Sequence, residues 1–143
     1  MDDLQKGMAD RMARAVNTLL NRYLVRGADG RERPIPYNPV DYQTLRFVAA
    51  AREARATDVA KHLGTPPTTM QSALDRLKRR GLLTKRASDA DRRARLYRLT
   101  EDGARVHAAI EAQDRANMAA MMEALSPAER QTLTALMERI AKA

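Results

Sequence analysis

The chain's excess positive charge is concentrated in one stretch, residues 52–98. This stretch contains 13 basic and 5 acidic residues, a net charge of +8. Residues 1–51 carry 8 basic and 6 acidic residues (+2), and residues 99–143 carry 5 basic and 7 acidic residues (−2), so the flanks cancel. A concentrated basic block is the electrostatic footprint of a protein that binds a polyanion. A solvated basic face would give the same count, so charge alone leaves both interpretations open.

Two groups of residues inside this block have the chemistry to contact DNA. The first group is uncharged and consists of Thr68, Thr69, Gln71 and Ser72. Gln can pair with an adenine edge, and Thr and Ser can donate to bases or phosphates. The second group consists of Arg92, Arg93 and Arg95. Arginine is the side chain that narrow minor grooves attract.

Enzyme chemistry and metal binding have little support in the composition. The chain has no cysteine, and its two histidines, His62 and His107, have no obvious serine or acidic partner in sequence. Thiolate catalysis and cysteine-ligated zinc are therefore excluded, and no glycine-rich phosphate loop is present. We expect no enzyme activity, no cofactor and no metal site. No apolar run approaches the roughly 20 residues that span a bilayer, and the N-terminus lacks a signal pattern, so we expect a cytoplasmic protein without membrane contact.

Helical periodicity and capping residues predict the elements on either side of the uncharged group. Apolar spacing predicts a helix over residues 2–25, and the Gly- and Pro-rich residues 27–39 predict a loop. Asn38 and Pro39 are typical of the start of a second helix, which we expect to end near Arg52. We expect a short third helix capped by Thr57 and ended by Gly64.

A fourth helix is predicted to begin around Thr65-Pro66-Pro67 and to end at Gly81. The pattern then changes to two strands, 82–86 and 95–99, joined by a polar connection, which predicts a β-hairpin. Thr100 can cap a long fifth helix that reaches about Leu125. Ser126, Pro127 and Glu129 predict a capping box at the start of the last helix.

The third and fourth helices, joined at Gly64, predict a helix-turn-helix whose second helix enters a major groove. The uncharged group lies on its exposed face, and basic residues follow that suit the DNA backbone, including Arg76, Arg79 and Lys85. The hairpin makes the unit a winged helix with the arginine cluster near its tip. We expect Asp91 to hold one of these arginines in place rather than to touch DNA. A helix that is merely solvated, and a charged tip that prevents edge aggregation, are the simpler alternatives.

From Arg55 to Gly103 the chain resembles the MarR family of bacterial transcription regulators. The segments that carry the resemblance are ATDVAKHLG, TTMQSALDRLKRRGLLTKR and SDADRRARLYRLTEDG. The resemblance implies a homodimer that represses or activates promoters. It also implies base contacts from Thr68, Thr69, Gln71 and Ser72 and a wing motif at Asp91, Arg92 and Arg93. The chain departs from the family at Pro66, where a capping serine is usual, so Thr65 is the expected cap. It also departs at Ser72, where an arginine is common.

The flanking helices predict how the chain assembles. We expect one domain over residues 1–143, with a winged-helix DNA-binding region at 53–99 and dimerisation helices at 1–25 and 100–143. The apolar stripes of those helices exceed what a small winged helix can cover, which favours a second copy as partner. The family often binds small aromatic acids, and Tyr42 and Arg46 share a helix face that can receive a ring and a carboxylate. An ordinary rim without a ligand is the alternative for these two residues.

These observations predict a mostly α-helical fold with a small β-hairpin wing. The expected function is that of a sequence-specific regulator, a repressor by preference, that acts as a homodimer on double-stranded DNA. We expect a pseudo-palindromic operator and release by a small aromatic or phenolic ligand. The predicted DNA-binding site consists of Thr65, the uncharged group, the three basic anchors and the wing residues Arg92, Arg93 and Arg95, with Asp91 in a supporting part. A sequence-neutral architectural DNA-binding protein and a winged-helix module for protein–protein contact are the alternatives.

Overall fold

A computed structural model describes residues 1–25 and 32–143 of the chain, which contain helices and one two-stranded hairpin. The helices are α1 (Asp3–Leu19), α2 (Pro39–Ala51), α3 (Ala56–Leu63), α4 (Pro67–Arg79), α5 (Glu101–Met121) and α6 (Pro127–Lys142). The strands are β1 (Leu83–Ala87) and β2 (Arg95–Leu99). The chain divides into a winged-helix unit (Arg33–Ala112) and a terminal unit (Met1–Glu32 with Gln113–Ala143).

Three predicted helix starts are confirmed because each depends on a local side-chain cap. The Asn38 side chain accepts hydrogen bonds from the amides of Val40 and Asp41, and Pro39 opens α2. The Thr100 hydroxyl accepts from the Gly103 amide at the start of α5. Ser126 and Glu129 form the reciprocal capping box of α6. Each cap satisfies an amide that the first helical turn leaves without an intrahelical acceptor.

The two caps predicted for the helix-turn-helix are wrong. Helix α3 begins at Ala56, before Thr57, and Arg55 precedes it without a side-chain cap. Helix α4 is preceded by Pro66 rather than capped by Thr65, whose buried hydroxyl has no hydrogen-bond partner within the described part of the chain. Because Pro66 and Pro67 have no amide hydrogen, the start of α4 has fewer donors for a cap to satisfy. Gly64 ends α3 with φ +64°, as expected.

The core of the winged-helix unit is built from the inward faces of α2, α3 and α4. Its fully buried members include Leu45, Val48, Val59, Met70, Leu74 and Leu77. Ala60 on α3 is also buried, and its small side chain suits the close crossing of α3 and α4. Burial of these faces turns the opposite face of α4 towards solvent.

The hairpin is tied to the helices by main-chain hydrogen bonds. Its strands pair antiparallel from Leu83 opposite Leu99 to Ala87 opposite Arg95, so β1 begins one residue later than predicted. Ala54 pairs with Tyr97 on the other side of β2, with N···O distances of 2.8 and 3.0 Å in the two directions. The residue pair therefore fixes the hairpin to the connection between α2 and α3.

The terminal unit contains α1, the C-terminal part of α5 and α6. Residues 2–25 were predicted to be helical, and α1 continues as a π-helical turn over Leu20–Val25. The buried Asn117 side-chain nitrogen donates to the Tyr23 carbonyl oxygen at 2.6 Å in that turn. After α5 a 3₁₀ turn, Met122–Ala124, brings the helical stretch close to its predicted end.

The predicted loop over residues 27–39 is only partly described. Residues 32–38 contain neither helix nor strand, while residues 27–31 lie outside the described residues. Among the helices of the described residues, none has the length and apolar character needed to cross a bilayer.

The end of α4 and the start of α5 meet at a tight junction. The Thr100 hydroxyl donates to the Gly81 carbonyl oxygen at 2.6 Å, and the Thr100 amide donates to the Leu82 carbonyl oxygen at 3.0 Å. Gly103 packs on the same Leu82 carbonyl so closely that a side-chain carbon at Gly103 would overlap with it. Only glycine fits this approach without a backbone shift.

Gly103→Ala is expected to lower the free energy of unfolding by about 1–3 kcal/mol, because the added methyl group overlaps with main-chain atoms. Gly7→Ala is the matched control, since nothing lies within 4 Å of a side-chain carbon at Gly7 in α1. Alanine favours a helix over glycine by about 0.8–1 kcal/mol, so this control should be neutral or stabilising. Urea unfolding measures both variants, and equal stabilities for the two would contradict the junction.

Candidate nucleic-acid interface

The exposed face of α4 carries the uncharged residues that were predicted to read DNA. Helical spacing buries Met70, Ala73, Leu74 and Leu77 on one side. The solvent-facing residues on the other side are Thr68, Thr69, Gln71, Ser72 and Asp75. The winged-helix unit therefore presents a row of hydroxyl and amide groups that is free of basic side chains. We call Thr68, Thr69, Gln71 and Ser72 the reader face.

One member of the reader face is already hydrogen-bonded within the protein. The Gln71 side-chain nitrogen lies 3.0 Å from Asp75 Oδ1, one helical turn along α4. The same nitrogen lies 3.4 Å from the hydroxyl oxygen of Tyr97 on β2. Neither partner was predicted from the sequence. The i to i+4 spacing of Gln71 and Asp75 is a signal that could have identified the first contact.

Of the basic residues predicted to anchor phosphates, Arg76 is engaged inside the winged-helix unit. Its guanidinium makes a bidentate pair with Asp41 on α2, with N···O distances of 2.8 and 3.2 Å. The hydrogen bond that Arg76 donates to the Asp41 carboxylate raises the pKa of Arg76 above its usual value. Asp41 is buried and Arg76 is half-buried, so the pair joins α4 to α2. Arg79 and Lys85 are exposed, as are Lys78 and Arg80.

The wing tip between β1 and β2 is held by hydrogen bonds to its own backbone. The Ser88 amide donates to the Ala94 carbonyl oxygen at 3.0 Å, and Asp91 Oδ1 accepts from the Arg93 amide at 3.0 Å. The Arg95 guanidinium donates to the Arg92 carbonyl oxygen at 2.7 Å. Asp91 thus holds an arginine, as expected, but through its main-chain amide. The side chains of Arg92 and Arg93 are exposed.

At the base of the wing, Glu53 pairs with two arginines of the basic block. Its two oxygens accept from Arg86 at 2.9 and 3.1 Å, and Arg98 lies 3.7 Å away. The hydrogen bond from Arg86, together with the positive charges of Arg86 and Arg98, holds the pKa of Glu53 below its ordinary value. Because Glu53 immediately follows the end of α2, this ion cluster adds a side-chain tie between the hairpin and the helices. The charge of Glu53 is evident from the sequence, but its pairing with Arg86 and Arg98 was not predicted.

The two predicted ligand residues occupy different surroundings. Tyr42 is 4% exposed, and its hydroxyl donates to the Ile35 carbonyl oxygen at 2.7 Å, so its ring belongs to the core. Arg46 lines an open groove of about 630 Å³ between α2 and the first half of α5, and Glu111 lies 3.4 Å from its guanidinium. His107 lines the same groove. Among the described residues, Tyr42 is not one of those that line the groove next to Arg46.

Comparison with known proteins finds a resemblance to one family over the central part of the chain. A model described as the MarR family matches residues 36–94, which include the helix-turn-helix and the wing tip. The winged-helix region is therefore similar to the MarR family. A search of curated proteins found no match.

Solved structures extend the likeness over the whole chain. The PcaV transcriptional regulator from Streptomyces coelicolor, in complex with its natural ligand, is 26% identical with a TM-score of 0.66, over 100% of this chain and 97% of that one. Bordetella bronchiseptica BpsR is 22% identical with a TM-score of 0.69, over 94% and 98% of the two chains. Streptococcus pneumoniae FabT, in complex with DNA, is 20% identical with a TM-score of 0.73, over 98% and 96%.

The family match and these structures confirm two predictions. They confirm the resemblance to the MarR family and the mostly helical winged-helix fold.

Asp41→Ala is expected to lower the free energy of unfolding by about 1–3 kcal/mol, because it removes a buried carboxylate and leaves Arg76 without its partner. Asp89→Ala is the matched control: Asp89 also pairs with an arginine, Arg86 at 3.6 Å, but its side chain is 98% exposed. Removal of such an exposed pair should change stability by less than about 0.5 kcal/mol. Chemical denaturation of both variants tests this, and an equal loss from each would show that burial of Asp41 contributes nothing.

Proposed function

We propose that this chain is a MarR-family, sequence-specific repressor that binds a pseudo-palindromic operator as a homodimer. The observation that carries the proposal is the composition of the reader face, which is uncharged and exposed within a unit of high positive charge. Contacts between charged side chains and phosphates carry no sequence information, whereas amide and hydroxyl groups can distinguish base edges. A surface that only attracted DNA would have no need of a neutral patch at its centre.

The basic residues fall into groups according to their position and to whether their side chains are already hydrogen-bonded within the protein. Arg79 and Lys85, together with Lys78 and Arg80, are assigned to phosphate contacts around the major groove. Arg92 and Arg93 are assigned to the minor groove beside it, with Arg95 bracing the wing backbone. FabT, which shares this fold, is known in complex with DNA, and this supports the assignment.

Arg76 and Thr65 have supporting parts in this proposal. Asp41 occupies the Nε and Nη2 edge of the Arg76 guanidinium, so we assign Arg76 to orienting α4 rather than to binding phosphate. Thr65, in the turn before α4, is half-buried, and its hydroxyl oxygen is buried. We therefore assign it to shaping the turn before α4 rather than to a phosphate contact.

Binding to the gene's own upstream intergenic DNA, compared with random DNA over a salt series, tests the function. A specific regulator should bind the upstream DNA about 10³-fold or more tightly. Arg93→Ala should weaken binding to both DNAs and reduce the salt slope by about 1, because one phosphate-region charge is lost. Arg115→Ala, which removes an exposed charge outside residues 52–98, is the control and should leave the slope unchanged. Gln71→Ala should mainly reduce the ratio between the two DNAs.

The other outcomes of this experiment identify the alternatives. Equal affinity for both DNAs would favour a sequence-neutral architectural protein. An absence of binding at low salt would reject the DNA-binding proposal and favour a winged helix used for protein–protein contact.

The homodimer in this proposal is supported by apolar residues that α1 and α6 leave in solvent. Leu4 is 76% exposed and Met12 is 62% exposed on α1, and Ile140 is 65% exposed on α6. Contiguous apolar surface of this kind is costly in water, and a second copy of the chain would cover it. Two-fold symmetry would then set the operator half-sites about 34–36 Å apart, one turn of DNA.

Sedimentation equilibrium should show a dimer at micromolar concentration, and Leu4→Glu with Met12→Glu should shift it towards monomer because the new charges oppose burial of α1. Arg11→Glu, a charge change at an exposed polar position of the same helix, is the control. A stable monomer of the unaltered chain would overturn the dimer.

Release by a small aromatic or phenolic acid is the regulatory part of the proposal. BpsR has its DNA binding regulated by 6-hydroxynicotinic acid, and PcaV is known with its natural ligand. In this chain Arg46 is the candidate for the carboxylate, which would displace Glu111 from the guanidinium in the open groove. Tyr42, fixed in the core, would support α2 beneath it.

A panel of hydroxylated aromatic acids should release the protein from its operator, and Arg46→Ala should abolish release while operator affinity stays within about twofold. Release that is equally efficient from the Arg46→Ala variant would exclude this residue.

A further inference from the structure

The hydrogen bonds of Gln71 fix which of its two polar atoms can face DNA. A glutamine amide has a nitrogen with two donor hydrogens and an oxygen that only accepts. Here the nitrogen is 3.0 Å from Asp75 Oδ1 and 3.4 Å from the Tyr97 hydroxyl oxygen. Both hydrogens of Gln71 therefore have acceptors inside the protein, and the oxygen is the atom left for an outside partner.

The orientation is set by the chemistry of the partner. An ionised carboxylate accepts hydrogen bonds and donates none, so the Asp75 side chain requires the nitrogen of Gln71 rather than its oxygen. A flipped amide would bring its oxygen against the Asp75 carboxylate, with two acceptors and no hydrogen between them. Orienting Gln71 accounts for an acidic residue at position 75, where a negative charge on a DNA-facing helix would otherwise only repel phosphate.

The second acceptor, Tyr97, is held rigidly. Its side chain is 3% exposed, and its backbone pairs with Ala54 in both directions. Its hydroxyl therefore has a fixed position under the reader face, and β2 of the wing contributes to the orientation of a residue on α4.

We propose that Asp75 and Tyr97 determine base specificity by presenting Gln71 to DNA as an acceptor only. This inference rests on the proposed function. Bidentate recognition of adenine needs both a donor and an acceptor from glutamine. With its donors occupied, Gln71 accepts from an exocyclic amino group, which adenine and cytosine both have in the major groove and guanine and thymine lack. Gln71 then separates amino bases from keto bases and does not select adenine alone.

A simpler role for the Gln71–Asp75 pair makes a different prediction. Such pairs at i and i+4 also stabilise helices slightly, whatever the helix binds. In that case removal of Asp75 would change stability and overall affinity, and the base preference would stay the same. Base preference is therefore the deciding measurement.

The experiment selects binding sites for the full-length chain from randomised double-stranded DNA and sequences the enriched pool. Gln71→Ala locates the position that Gln71 reads, as the position whose preference is lost. At that position the unaltered chain should enrich adenine and cytosine to within about threefold of each other, with both well above guanine and thymine. Asp75→Ala frees the amide for bidentate pairing and should shift the preference towards adenine by about fivefold or more.

Two further variants separate orientation from charge and from folding. Tyr97→Phe removes only the second acceptor and should shift the preference in the same direction by less. Asp58→Ala removes an exposed acidic residue of α3 that does not contact Gln71, so it should raise affinity for all DNA and leave the profile unchanged. Circular dichroism of each variant checks that the winged helix is folded.

Each outcome decides the inference. Adenine alone in the unaltered chain, an unchanged profile for Asp75→Ala, or no position lost in Gln71→Ala would overturn it while the proposed function stands. No enriched sequence at all from the unaltered chain would overturn the proposed function and the inference with it. A shift of the same size in Asp58→Ala would assign the effect to charge and would also overturn the inference.

Discussion

Tyr97 is the residue on which the arrangement of the candidate interface depends. Its main chain pairs with Ala54, its ring is buried in the core, and its hydroxyl reaches the side chain of Gln71. A strand, a connection between two helices and the reader face are thereby fixed to one residue. A two-stranded hairpin alone is marginally stable in water. The wing can hold its arginines in a fixed place because Tyr97 joins it to a packed helical unit.

The second constraint is the repulsion between the many basic side chains, which opposes folding of a strongly basic protein. Two buried or partly buried acids meet this requirement in the winged-helix unit: Asp41 pairs with Arg76, and Glu53 pairs with Arg86 and Arg98. These pairs use arginines to connect elements, and the exposed arginines and lysines of α4 and the wing remain for a polyanion. The count of 13 basic residues in the stretch 52–98 therefore overstates how many positive charges are free to bind DNA, because Arg76, Arg86 and Arg98 are paired.

Much of the fold could be predicted from the sequence because its signals are local. Asn38, Thr100 and Ser126 cap helices through amides two or three residues away, and the sequence displays both partners. The caps predicted at Thr57 and Thr65 were wrong because the neighbouring residues, including two prolines, altered where a helix could begin and what it needed. Local composition predicts that a helix exists more reliably than it predicts its first residue.

The contacts that shape the candidate site could not be predicted in this way. Asp41 and Arg76 are 35 residues apart, and Glu53 and Arg86 are 33 apart, so no spacing rule joins them. Sequence spacing also could not decide the surroundings of Tyr42. Its hydroxyl donates to the Ile35 carbonyl oxygen, a contact that the sequence does not display. Which residues face outward on α4 was predictable, because a helix period fixes that face. Which of their atoms are already occupied was not.

The central claim is that the reader face and the wing tip contact DNA. Photocrosslinking from single positions tests it most directly. A photoreactive residue at Thr69 should crosslink to bases of the upstream DNA, and one at Arg93 should crosslink to the same DNA. A photoreactive residue at Gln131, exposed on α6, should give no crosslink. Crosslinks from Gln131 with none from Thr69 and Arg93 would contradict the account, because DNA would then lie against a different surface of the protein.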